Sequence, residues 1–189
     1  MAGMRLAAKR LAAYWLDFVM LAGVLGGMQG LLYLATGGFP FDRFKAGYEI
    51  ELWVLATMSV PVWVYFIGME YKRGQTIGKR LLQLKAAARD GSRLTLRQAF
   101  LRTIVRLLPW ELAHLIVLVP EPWWDADPAN PELIFIPNGL MLLYIAVLAT
   151  SGGRRTLHDA AAGTRVRDAG RPDAYPSEHY RSYSKRHRF

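Results

Sequence analysis

The sequence predicts an all-α integral membrane protein with about four transmembrane helices in two hairpins, a possible tandem repeat, and a short cytoplasmic β-hairpin in the middle loop. Two observations carry this. Charged and apolar residues separate into alternating blocks, although the chain is 52% hydrophobic and carries a net charge of +9. The basic residues then fall on one set of loops. The 189 residues suffice for one domain. A membrane domain over 1–169 is expected, followed by a basic tail over 170–189 whose Arg, Ser, Tyr, His and Pro content predicts disorder.

The first apolar block, Tyr14–Tyr33, is interrupted only by Asp17 and Gln29 and lies in a predicted span over 11–34. It matches the roughly 20 residues that a helix needs to cross hydrocarbon. It is too long for the apolar region of a signal peptide and holds a carboxylate, so it is read as a retained helix. The second block, Leu52–Met69, lies in a span over 51–69, with a kink expected at Pro61. The third span, 99–119, is the least apolar, because it holds Arg102, Arg106, Glu111 and His114. The fourth, 133–150, has Pro137 and Asn138 near its start. In the middle loop, Leu81–Ala88 has strand character, Arg89-Asp90-Gly91 is a turn signal, and Leu94-Thr95-Leu96 alternates again, which together predict the β-hairpin. From Arg93 the pattern becomes helical and basic, as in an interfacial entry into the third span.

The loops predict the orientation. Of the 24 Lys and Arg residues, only Arg43 and Lys45 fall in the first and third loops, which also carry Asp42, Glu49, Glu51, Glu121, Asp125, Asp127 and Glu132. The positive-inside rule then places both termini and the middle loop in the cytoplasm, in a multi-pass protein of the cell (inner) membrane. Trp53, Trp123 and Trp124 fall where an outer aromatic belt would sit. The cytoplasmic charge implies contact with anionic lipid headgroups rather than nucleic acid.

Several chemistries are excluded. There is no cysteine, hence no disulfide, thiol nucleophile or Cys-ligated metal. Gly74–Lys79 is one residue short of a phosphate loop, and Arg80 stands where a Mg²⁺-holding Ser or Thr would be. No Ser-His-Asp or paired-carboxylate arrangement points to an enzyme, and no cofactor is expected.

Three stretches resemble the RDD family of membrane proteins: Lys9-Arg10-Leu11 through Asp17, Gly74-Gln75-Thr76-Ile77-Gly78-Lys79-Arg80, and Arg155-Thr156-Leu157-His158-Asp159 with Gly163-Thr164. They occur in the family's order over about Lys9 to Asp168. The resemblance implies that Arg10, Asp17 and Asp159 are the residues that give the family its name. It also implies a small membrane protein, some of whose relatives are reported as Na+/H+ antiporters. The chain departs from the pattern in its long third span.

The segment after the second span is also similar to the one after the fourth. Gly74–Lys79 matches Arg154–Asp159, and each is followed by an apolar stretch and a turn. Two readings stand: a tandem two-plus-two repeat about an axis along the membrane normal, or chance similarity between two basic segments.

Arg10, Tyr14 and Asp17 share one helix face. An ionised carboxylate within a span costs on the order of 2.5–3.5 kcal/mol, so Asp17 is expected to find a wet cavity or a cation such as Arg102 or Arg106. It then serves as a proton or cation site, or as a structural ion pair. His158 and Asp159 follow the fourth span, either as a proton relay or with Asp159 fixing the loop by bonding Arg10 or a backbone N–H. Glu111 and His114 have the i, i+3 spacing of di-metal bundles, but in a single copy, so no metal is assigned; as ionisable residues within a span they are candidates for a transport path, or they lie near the outer surface in contact with water. Gly23 with Gly27 and Gly26 with Gly30 form two G-x-x-x-G pairs, which predict close helix packing within the chain or with a second copy.

Two functions follow. One is a transporter that exchanges a monovalent cation for protons through the Arg/Asp core, in a homo-oligomer because four spans make a thin path. The other is a non-transporting scaffold or accessory protein that binds anionic lipid or a partner protein.

Overall fold

The computed structural model describes residues 2–169, so the disorder expected of 170–189 lies outside the described residues. By length and composition, three helical segments can cross a membrane: Gly3–Thr36, Gly47–Arg73 and Pro131–Thr150. The first lies wholly within α1 (Ala2–Thr36). The second is continuous but composite, with α2 (Gly47–Val54), one π turn (Leu55–Ser59) and α3 (Val60–Arg73). Pro61 lies in the first turn of α3. A proline ring clashes with the carbonyl four residues back and leaves it without a donor. Here that residue is Thr57, inside the widened π turn, so the helix absorbs the proline by local widening. The third segment is a 3-10 turn (Pro131–Ile134) followed by α6 (Phe135–Thr150).

The predicted third span forms α5 (Leu96–Leu118), 23 residues long. It has the length of a span but is not among the apolar ones. It occupies the middle of the fold, with α2, α3 and α6 packed against it. Its Arg102 and Arg106 are buried, so the polarity that weakens α5 as a lipid-facing helix is turned inward. The outside shows the opposite pattern, with Trp15, Val19, Val24, Leu31, Ile136 and Leu142 exposed.

The remaining elements lie at the basic end of the bundle. They are α4 (Ile77–Leu81), α7 (Leu157–Ala162) and two strands, β1 (Leu84–Ala88) and β2 (Thr164–Asp168). The predicted β-hairpin is not formed. β1 pairs antiparallel with the distant β2, from Leu84↔Asp168 to Ala88↔Thr164. Leu94-Thr95-Leu96 does not return as a strand because Thr95 begins α5. Its hydroxyl accepts from Gln98 N, and the Gln98 side chain reaches back to Thr95 N, so the alternating triplet is a capping box. Leu94 instead joins Ala13, Leu84, Ala86 and Val166 in a small apolar core under the ladder.

The two basic-end segments correspond residue by residue. One step along the chain carries Thr76 to Thr156, each capping a short helix through its hydroxyl. The same step carries Gln83 to Gly163, both left-handed, with φ of 57° and 63°. It carries the pair Leu84↔Asp168 onto Thr164↔Ala88 and returns Ala86↔Val166 to itself.

The expected packing role of Gly23, Gly26, Gly27 and Gly30 is not fulfilled within the chain. A Cβ added at any of them meets nothing within 4 Å. Most partners of α1 gather at the basic end, where α4 packs against it, and although Gln29 accepts from Trp53 Nε1 at 2.9 Å on another face, the glycine face stays uncovered.

Candidate functional site

Among the described residues, eleven polar or charged ones are buried, and most of them gather at the basic end. The centre is Glu70, in the last turn of α3 and 0% exposed. Its Oε2 accepts from Arg102 Nε at 2.7 Å and its Oε1 from Arg106 Nη2 at 2.6 Å. Lys79, on α4, also donates to Oε1. Arg102 continues to Asp159 on α7 and to the Thr164 hydroxyl that opens β2. Asp159 accepts in turn from Arg10 on α1. The result is one chain of charge, Lys79–Glu70–Arg102–Asp159–Arg10, with Arg106 on its flank, and it ties α1, α3, α4, α5 and α7 together.

Asp159 is also a capping residue. It accepts from Thr156 N at 3.1 Å and Thr156 Oγ1 at 2.8 Å, while its own N–H donates to Thr156 Oγ1 at 3.3 Å. Arg10 adds a bond from Nη1 to the Gly153 carbonyl at 2.9 Å. Asp159 thus bonds both Arg10 and a backbone N–H.

Asp17 is arranged differently from the expectation. It pairs with neither Arg102 nor Arg106. At 1% exposure it accepts three bonds, from Tyr65 Oη at 2.6 Å, Thr76 Oγ1 at 2.5 Å and Gly78 N at 2.8 Å. The arginines go to Glu70 and Asp159 because α5 faces α3 and α7, whereas Asp17 faces the start of α4. Gly78 makes that approach possible. A Cβ there would lie 2.2 Å from the Ala13 carbonyl oxygen.

Burial alone would raise the Asp159 carboxyl, but the guanidinium groups of Arg102 and Arg10 overcome it and hold it well below the usual carboxylate range. Burial pushes the Lys79 ammonium down to about 7, against the pull of Glu70. Burial also holds the His158 imidazole well below its usual value, with Arg106, Arg102 and Arg10 adding to it and Asp159 opposing. Burial thus favours the neutral imidazole at His158.

A cavity of about 160 Å³ adjoins the cluster. Arg10, Tyr14, Asp17 and His158 line it, together with Arg106 and Lys79. Glu111 and His114 lie further along α5 in a separate, partly buried set. His114 Nδ1 is 2.7 Å from Glu51 and its Nε2 is 3.0 Å from Glu111. Glu111 accepts from Ser59 Oγ at 3.0 Å and Trp63 Nε1 at 2.9 Å. Among the described residues, no group of three or more His, Cys, Asp or Glu is placed to hold a metal ion.

Sequence reasoning missed Glu70, Lys79 and the hydroxyls of Tyr65, Thr76, Thr156 and Thr164. Glu70 had a signal. It follows the apolar block directly, and the rule that singles out Asp17 applies to a carboxylate at that position.

The RDD family model matches residues 5–163. The chain is also similar to the uncharacterized protein YckC of Bacillus subtilis (strain 168), 26% identical over 157 residues, which are 83% of this chain and 80% of that protein. No solved structure matches.

Proposed function

The chain belongs to the RDD family, and from that premise we propose a non-transporting membrane scaffold or accessory protein that engages anionic lipid through its basic cytoplasmic face. One observation carries this reading. Asp17, the carboxylate a cation path would use, is saturated by three donors from its own chain and shares its cavity with Arg10, Lys79 and Arg106. A monovalent cation entering there meets more positive than negative charge. The arginines around it are committed to Glu70 and Asp159, so the cluster works as a clasp. The exposed Lys72, Arg73, Arg89, Arg93, Arg97 and Arg155 remain for headgroups, each worth about 1 kcal/mol near an anionic surface. We also read the two halves as a tandem repeat, supported by the step that maps the β1–β2 ladder onto itself.

Proteoliposomes test the scaffold reading. Under imposed Na+ or K+ gradients the purified protein is expected to produce no coupled proton movement. Flux that Asp17→Asn abolishes would overturn it.

A second reading, cation/proton antiport in a homo-oligomer, has one observation in its favour. Lys79 titrates near pH 7 inside the charge network and lines the cavity with Asp17. If this reading holds, the flux shows a pH dependence that Lys79→Met removes.

A further inference from the structure

The charges around the cavity do not balance. With Lys79 protonated, the buried network holds four cations, Arg10, Lys79, Arg102 and Arg106, against Glu70, Asp159 and the nearby Asp17, while His158 is neutral. One positive charge is left without a counter-charge in a buried setting, where an unpaired ion is costly. Two groups that line the cavity also have unused hydrogen-bonding capacity. Arg106 Nη1 and His158 Nδ1 are buried with no partner, and Arg106 itself is only 7% exposed. Both observations point to an anion.

The mouth of the cavity shows what kind of anion. It opens between α1 and α6, where Leu11, Trp15, Met141 and Ile145 line it and are themselves exposed on the apolar belt. A hydrated inorganic anion would have to cross that apolar rim, whereas a lipid already has its chains there. The volume of about 160 Å³ leaves room for a phosphate group.

We propose that this cavity binds one anionic phospholipid, with its phosphate among Arg10, Lys79 and Arg106 and its acyl chains leaving between α1 and α6. The proposal deepens the scaffold reading and rests on it. The exposed arginines gather anionic lipid loosely at the surface, and the cavity holds a single molecule by complementary charge.

The full chain in phosphatidylcholine nanodiscs containing a minor fraction of phosphatidylglycerol provides the test. Native mass spectrometry after release reads the lipid retained, and lipid extraction from the intact disc reads bulk enrichment. One phosphatidylglycerol per chain is expected to remain, at least tenfold over phosphatidylcholine after correction for mole fraction. Arg106→Gln should reduce that occupancy at least tenfold. Met141→Trp should do the same by narrowing the mouth without touching the charge network, which covers the case in which Arg106→Gln fails to fold. Arg93→Gln with Arg97→Gln should lower bulk enrichment and leave the single retained lipid. Retention that persists in a folded Met141→Trp variant, or that does not favour phosphatidylglycerol, overturns the cavity site. Bulk enrichment unchanged by the surface pair overturns the surface reading and leaves the cavity site standing. In lipid-free detergent, a thermal shift from inorganic phosphate as large as that from a short-chain phosphatidylglycerol would identify a soluble-anion site and also overturn the proposal.

Discussion

Glu70, which the family motif does not name, is a centre of the buried network beside Asp159. It takes three cations from two other helices, so removing its charge leaves Lys79, Arg102 and Arg106 facing a neutral amide. Breaking one partner of a buried pair costs about 3–5 kcal/mol. Glu70→Gln is therefore expected to destabilise the protein by about that much, measured by denaturation in detergent, and more than Asp17→Asn, whose partners are all neutral. Lys79 predicts a pH dependence. Its folded value of about 7 lies below the unfolded 10.5, so between those values the unfolded chain holds the extra proton. Stability through this group then rises with pH across that window, by at most about 1.4 kcal/mol per pH unit. Lys79→Met should flatten the rise in Tm between pH 7 and 10. Asp159 acts at the other end of the scale. Its lowered carboxyl contributes stability above about pH 3.8, which is lost as the pH falls below that value.

At the scale of elements, two kinds of glycine separate. Gly78 lies where α4 crosses α1, and its missing Cβ lets its N–H reach Asp17. Gly26 lies on an open face of α1. Gly78→Ala should lower Tm sharply and detach α4 from α1. Gly26→Ala should be neutral or stabilising, by up to about 1 kcal/mol from helix propensity alone. Thermal unfolding of the two variants side by side checks both. If Gly26→Ala destabilised the protein as much as Gly78→Ala, the open face of α1 would have to be packed against a second copy. The capping boxes at Thr95 and Thr156 explain why α5 and α7 begin where they do. Both follow the Ser/Thr-x-x-acceptor pattern, so the start of α5 was readable. Reading Leu94-Thr95-Leu96 as a strand gave weight to alternation over three residues and overlooked the cap at its centre.

At the scale of the whole molecule, the proposed orientation makes a prediction. The chain has no cysteine, so single cysteines report sidedness without interference. In right-side-out vesicles, Asp125→Cys should react with a membrane-impermeant maleimide. Arg5→Cys and Ser92→Cys should react only after the membrane is opened. Labelling of all three in sealed vesicles would overturn the cytoplasmic placement of the N-terminus and middle loop. Much of the architecture was legible in one dimension, because segregation of apolar and charged residues is a property of the chain. The three apolar spans, the polar third segment, the similar segments after each pair and the resemblance that singles out the buried Arg10, Asp17 and Asp159 could all be read there. Which charge meets which could not. An arginine at position 102 is within reach of several carboxylates in sequence terms. Only the packing of α5 between α3 and α7 gives it to Glu70 and Asp159 and leaves Asp17 to three neutral donors. The pairing of β1 with β2 is of the same kind, since strand partners far apart in the chain are selected by how the helices pack and leave no local signal. The sequence alone determined a membrane protein of this family with a polar interior. The tertiary structure decided the wiring of that interior, because hydrogen bonds and ion pairs depend on distances that only the folded chain sets.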